Sequence, residues 1–165
     1  MTTQPAVPPT EHDVALALPR QWITRRQPAP DIVVLSRART VPASGFRPEL
    51  VVQSQPVTGD LESWCDDTAT ALREQWDRLE LEDDDVFDLN GHRVGYRRFA
   101  HVVGVVDVMC EQWSWLVEGH GITLTCSVAR EDYLDYGDLF EQVADTVEIT
   151  APDAPGSALR DAARW

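Results

Sequence analysis

From residue 86 to residue 128 apolar and polar positions alternate with a period of two, interrupted at tight turns, and this rhythm predicts a four-stranded meander. Residues 86–89 and 92–100 flank Asn90-Gly91, a dipeptide that supplies the two positive φ angles of a type I′ hairpin. The next two crossings, about 106–117 and 122–128, are joined around Gly119 and Gly121. Between Val108 and Val117 both alternating faces are apolar, as in a central strand covered on two sides. In the last crossing Ile122, Leu124, Cys126 and Val128 point one way and Thr123, Thr125 and Ser127 the other.

Elsewhere the period shifts to that of a helix. Leu61, Trp64, Cys65, Thr68, Leu72, Trp76 and Leu79 recur every three or four positions, predicting an amphipathic helix of about five turns. Asp60 stands where an N-cap carboxylate would accept the free amides of its first turn. A second helix is predicted over about 132–146, with Leu139, Phe140, Val143 and Val147 on one face and Tyr133 or Tyr136 near its start. Short strands are expected at 14–18, halted by Pro19 with Trp22 closing one end of the core, and at 31–36 and 49–53 as antiparallel neighbours. Residues 148–150 close the body. Residues 1–12 and 151–165 are rich in Pro, Ala, Thr and Ser and carry no pattern, so the domain is expected to span 13–150 between a disordered N-terminal and a flexible C-terminal tail.

A chain of 165 residues can bury roughly 70% of its unfolded surface and needs no covalent staple. The cysteines, Cys65, Cys110 and Cys126, lie in apolar patterns without metal-like spacing and read as free thiols. Centring a hairpin on the 118–121 turn sets Cys126 opposite a residue near Trp113, which leaves Cys110 out of reach of a bridge. A formal charge of −14 disfavours nucleic acid and anionic membrane surfaces as partners. No apolar run is long enough for membrane insertion, and the N-terminus has no leader pattern, so a cytoplasmic location is expected. All 14 basic residues are arginine and Asn90 is the sole asparagine, the usage of a GC-rich genome such as an actinobacterial one.

Catalytic motifs are missing. Gly59 and Gly91 are isolated and lysine is absent, so there is no phosphate-cradling loop. Residues 88–91 resemble part of a calcium loop, yet Val86 and Arg97 occupy positions that need carboxylates. His12, His92, His101 and His120 have no metal-ligand spacing, no serine sits in a nucleophile elbow, and no cofactor is expected. Two groups suit recognition instead. Trp113 and Trp115, with Met109 and Val117, form either a pocket or docking patch or the core under a helix, and the apolar opposite face favours core. Arg93, Arg97 and Arg98 around Tyr96 form the densest basic cluster, either a seat for a carboxylate partner or a solvated strand pairing with nearby acids.

The order of elements is distinctive: the strand ending in Pro19-Arg20-Gln21-Trp22, the 61–79 helix, the Asn90-Gly91 meander and the terminal helix running from Phe140 towards Ile149. It resembles the PsbP-like superfamily of α/β/α sandwiches, which includes DcrB- and LpqN/LpqT-type bacterial lipoproteins and a Ran-binding nuclear-import factor. The resemblance implies an α+β fold with an antiparallel sheet of about six or seven strands flanked by helices. It brings no shared catalytic residues, and the sequence lacks the lipobox cysteine of the lipoproteins. The expectation is a non-enzymatic protein-binding or scaffold module with an unidentified protein partner, associated through the mycobacterial likeness with a secretion or envelope system. The alternative is a small-molecule or lipid carrier with a pocket between sheet and helix. Hydrolase or transferase activity would need titratable groups converging in a pocket, and the sequence leaves monomer or homodimer open.

Overall fold

The computed structural model describes residues 13–150, and the two predicted tails lie outside the described residues. In chain order the elements are β1 (Asp13–Ala15), β2 (Ile23–Ala29), β3 (Ile32–Arg37), β4 (Glu49–Pro56), α1 (Leu61–Gln75), β5 (Glu80–Leu89), β6 (His92–Val103), β7 (Val106–Val117), β8 (His120–Ala129), a 3₁₀ turn (Arg130–Asp132), α2 (Tyr133–Asp145) and β9 (Glu148–Thr150). β2 to β8 form one seven-stranded sheet in the order β2-β3-β4-β8-β7-β6-β5, antiparallel throughout, while β1 and β9 pair as a separate ribbon. The fold is an α+β sandwich, with α1 against one face of the sheet and α2 against the other.

Local chemistry accounts for the turns and caps. Asn90 and Gly91 take φ angles of 51° and 83°, as a type I′ turn requires. The β7–β8 hairpin turns on Glu118 and Gly119, at φ 48° and 76°, with Val117 facing His120; Gly121 is already inside β8. Asp60 caps α1 by accepting the Ser63 amide at 2.8 Å, and this bond holds its carboxyl below its ordinary value.

Several elements differ from the sequence expectation, each for a physical reason. The first strand is only Asp13–Ala15 and joins β9 rather than the main sheet. β2 had no signal, because two adjacent arginines and Pro28 are tolerated only on an edge strand, where one side faces water. At the other edge β5 begins at Glu80, six residues before the expected strand at 86–89, and takes in the acidic run 82–85. α1 ends at Gln75, where Trp76 turns to extended backbone and Arg78 takes a φ of 63°. In the meander Cys126 faces Glu111 rather than a residue near Trp113, and Cys110 faces Ser127.

The two faces of the sheet bury different things. Under α2 lie Val34, Leu50, Val52, Val94, Met109, Trp113, Trp115, Ile122, Leu124, Cys126 and Val128, closed by Phe140, Val143 and Ala144 of the helix. Under α1 the strands offer small residues. A β-carbon on Gly95 would stand 2.6 Å from Cys65 Sγ, and one on Gly121 would stand 2.5 Å from the Trp64 ring, so glycine at both positions lets α1 settle close to the sheet. Beyond this contact, Phe99, Val108 and Cys110 pack with Leu72 and Trp76 in a second cluster.

Candidate functional site

Each face of the sheet buries one charged side chain. On the α1 face Arg97 is only 3% exposed and donates from Nη2 to the Cys65 carbonyl at 2.6 Å. On the α2 face Glu111 of β7 is only 1% exposed and accepts the Tyr96 hydroxyl at 2.6 Å on Oε2. Its other oxygen, Oε1, is buried without a hydrogen-bond partner in good geometry among the described residues. Desolvation raises the Glu111 pKa, only partly offset by the Tyr96 and Tyr133 hydroxyls and by Arg98. Burial and the neighbouring carboxyl raise the Tyr96 and Tyr133 phenols in turn. A carboxyl pushed upward and phenols kept neutral favour a shared hydrogen-bonded state over separate ions.

Beside this group lies an open cleft of about 650 Å³, between α2 and the β5–β7 part of the sheet. Its floor is Tyr96, Trp113, Phe87 and Leu89, and its walls carry Asp83 from β5 and Asp138, Glu141, Gln142 and Asp145 from α2. Arg98 closes one end. Its guanidinium stands 3.4 Å from Glu82 and 5.9 Å from the Tyr133 ring centroid, so it is already engaged. The cleft exists because α2 rests on Trp115, Leu124 and their neighbours near the sheet centre and leaves the β5–β6 strip uncovered.

The six residues singled out from sequence are divided by the pleat. Tyr96, Arg98, Trp113 and Trp115 share the α2 face, whereas Arg93 and Arg97 belong to the α1 face. Arg93 pairs with Glu62 of α1, and Arg97 is spent on a backbone carbonyl, so the basic residues make no common patch. Trp115 is 2% exposed beneath the helix; Trp113 is nearly as buried but contributes to the cleft floor and packs 5.4 Å from Tyr96, centroid to centroid. Sequence reasoning missed Glu111, Phe87 and the acids of α2. A lone glutamate in the middle of a strand apolar on both faces is the signal that could have found the first. Three carboxylates spaced three and four apart on the predicted second helix could have found the rest.

Little here points to covalent chemistry. Cys110 and Cys126 project from opposite faces, and burial pushes the Cys110 thiol up to about 12 and holds the Cys126 thiol well above its ordinary value. Cys65 is shifted upward as well, by desolvation. His101 is stacked 4.0 Å from Trp76, and burial lowers its pKa. Among the described residues no three His, Cys, Asp or Glu side chains could hold a metal ion, and no helix is long and apolar enough to cross a membrane.

No protein-family model matches the sequence, and no curated protein sequence does so with significance. Solved structures do match. LpqN, involved in cell envelope biogenesis of Mycobacterium tuberculosis, superposes with a TM-score of 0.64 at 15% identity over 86% of each chain. The cyanobacterial PsbP (CyanoP) of Synechocystis sp. PCC 6803 gives 0.60 at 17% identity over 82% of this chain and 86% of its own. PA94 from Pseudomonas aeruginosa, a protein of unknown function, gives 0.61 at 10% identity over 81% and 94%. The fold is PsbP-like, and at these identities it is the fold alone that is shared.

Proposed function

We propose that the protein is a non-catalytic binding module that engages a protein partner in the cleft between α2 and strands β5 to β7. One observation carries this reading: the 650 Å³ cleft is a concavity with an aromatic floor and polar walls on both sides. Of the two buried charged groups, Arg97 lies on the opposite face of the sheet and Glu111 below the floor. No serine, cysteine, histidine or lysine lines the cleft, which supports binding over catalysis there. The likeness to LpqN supports an envelope-associated process, and three unbridged thiols support residence in a reducing compartment at its inner side.

The test is a titration of the ¹⁵N-labelled full chain with a panel of acidic, basic and neutral capped peptides, fatty acids and small metabolites, following backbone amide shifts. Saturable shifts confined to β5, β6, β7 and α2 are expected from a peptide. Shifts centred on α1, or none from the whole panel, overturn the reading. A response to fatty acids alone would replace it with the lipid-carrier alternative.

A further inference from the structure

The cleft holds more negative charge than its surroundings neutralise. Asp138, Glu141 and Asp145 stand on α2 at spacings of three and four, with Asp83 facing them from β5. Like charges at those spacings weaken a helix, and Asp145 in the last turn opposes the helix dipole, where no basic residue offsets it. Some acids elsewhere are compensated: Glu49, Glu62, Glu80 and Glu82 each face an arginine. Asp83, Asp138 and Glu141 form no ion pair or hydrogen bond among the described residues, and Asp145 has only the Asn90 amide, at 3.3 Å. A helix that retains such a stripe against its own propensity is showing a local conflict of the kind found where a site is built.

A second, independent feature points the same way. Glu111 projects from the sheet face that forms the floor, directly opposite Arg98 and two residues from Trp113, both of which line the cleft. It is only 1% exposed, its Oε2 accepts from Tyr96, and among the described residues its Oε1 has no hydrogen-bond partner in good geometry. The demand is therefore for donors and positive charge. An anion is disfavoured, since the single cation, Arg98, is held by Glu82 and Tyr133. A metal ion is disfavoured because the carboxylates do not converge. What fits is a cation whose charge is spread over several donors and whose flat body stacks on Phe87 and Tyr96.

We propose that the cleft takes an arginine side chain presented by a segment of the partner protein. A guanidinium offers five N–H donors in a plane, enough to reach carboxylates on both walls while lying on an aromatic ring. A lysine ammonium is compact and could serve one wall only. The cleft is open along its length, which suits a side chain arriving on a peptide backbone better than an enclosed small amine. This proposal rests on the cleft being the recognition site and adds the chemistry of the ligand.

Calorimetric titration of the full chain with capped pentapeptides carrying two arginines tests it, beside the same peptides with citrulline, which keeps the shape and removes the charge. The arginine peptides are expected to bind at least about tenfold more tightly, and to lose about tenfold when ionic strength rises from about 0.02 to about 0.3 M. The double variant D138N/E141Q removes like-charge repulsion on α2, so it should fold at least as well while binding about tenfold more weakly. The control D66N/E74Q on exposed positions of α1 should bind as the parent does. Equal binding of the citrulline peptides, equal weakening in the control, or arginine amide binding as tightly as the peptides would each overturn the proposal. Arginine peptides that fail to bind, while other panel peptides still shift the cleft amides, would overturn the arginine assignment and leave the cleft as the recognition site.

Discussion

The α1 and α2 faces of the sheet solve the same packing problem in opposite ways. Towards α1 the strands present Gly95, Gly121, Ser114 and Thr123, the helix approaches until Trp64 and Cys65 meet bare backbone, and only a small groove remains. Towards α2 they present two tryptophans, leucines and valines, so the helix is held off on bulky side chains and its acidic flank overhangs the β5–β6 strip. The buried charges follow suit: Arg97 is met by a main-chain carbonyl that close approach brings within reach, whereas Glu111 depends on a phenol. A face built for proximity leaves little room, and a face built for bulk leaves a cleft at its margin.

The most severe way to break this contrast is to remove the bulk. Trp115→Ala empties the centre of the α2 face and is expected to cost about 3–5 kcal/mol in a chemical denaturation curve; a loss under about 1 kcal/mol would mean that α2 does not rest there. Adding bulk to the other face comes next. Gly121→Ala places a methyl against the Trp64 ring and should cost about 1–3 kcal/mol, whereas an unchanged midpoint would show that α1 can shift outward freely. The smallest effect sharpens the contrast by pH. Because burial raises the folded pKa of Glu111, the stability contributed by its protonated form is complete in acid, below the ordinary carboxyl range, and is lost as pH rises through the raised value. Glu111→Gln, which still accepts from Tyr96, should therefore gain on the parent by about 1 kcal/mol between acid and mildly alkaline solution. Thermal melts across that range would show parallel curves if Glu111 carried no such burden.

The sequence made the α2 face easy to read and the cleft hard. Alternation through Ile122, Leu124, Cys126 and Val128, the Asn90-Gly91 turn and the Asp60 cap are local signals, and each matches the structure. The edge strand β2 and the first half of β5, residues 80–85, were invisible because an edge tolerates arginine, proline and runs of aspartate that would disqualify a central strand. A pocket between sheet and helix was one of the sequence's alternatives, but its position was not readable, since it depends on where α2 comes to rest across the sheet, and no spacing in the chain encodes that. Arg93, Arg97 and Arg98 looked like a cluster because they are close in sequence, yet the pleat sends neighbours to opposite faces. Glu111 was readable in principle as the one acid inside a doubly covered strand, and the apolar residues around it masked the exception.

The β1–β9 ribbon has a mechanical consequence. Asp13 pairs with Thr150, so the first and last described residues lie side by side, and their ladder runs inward from that point through Val14 and Ile149. Tension applied across these two residues opens the ribbon like a zipper, loading one pair at a time, while the seven-stranded sheet lies beyond the third pair and bears no load until the ribbon has parted. Ala17, whose amide donates to Thr146 Oγ1 at 2.9 Å, is the next latch inward. Under load the molecule therefore yields first at a single pole, with the cleft between α2 and the sheet still formed.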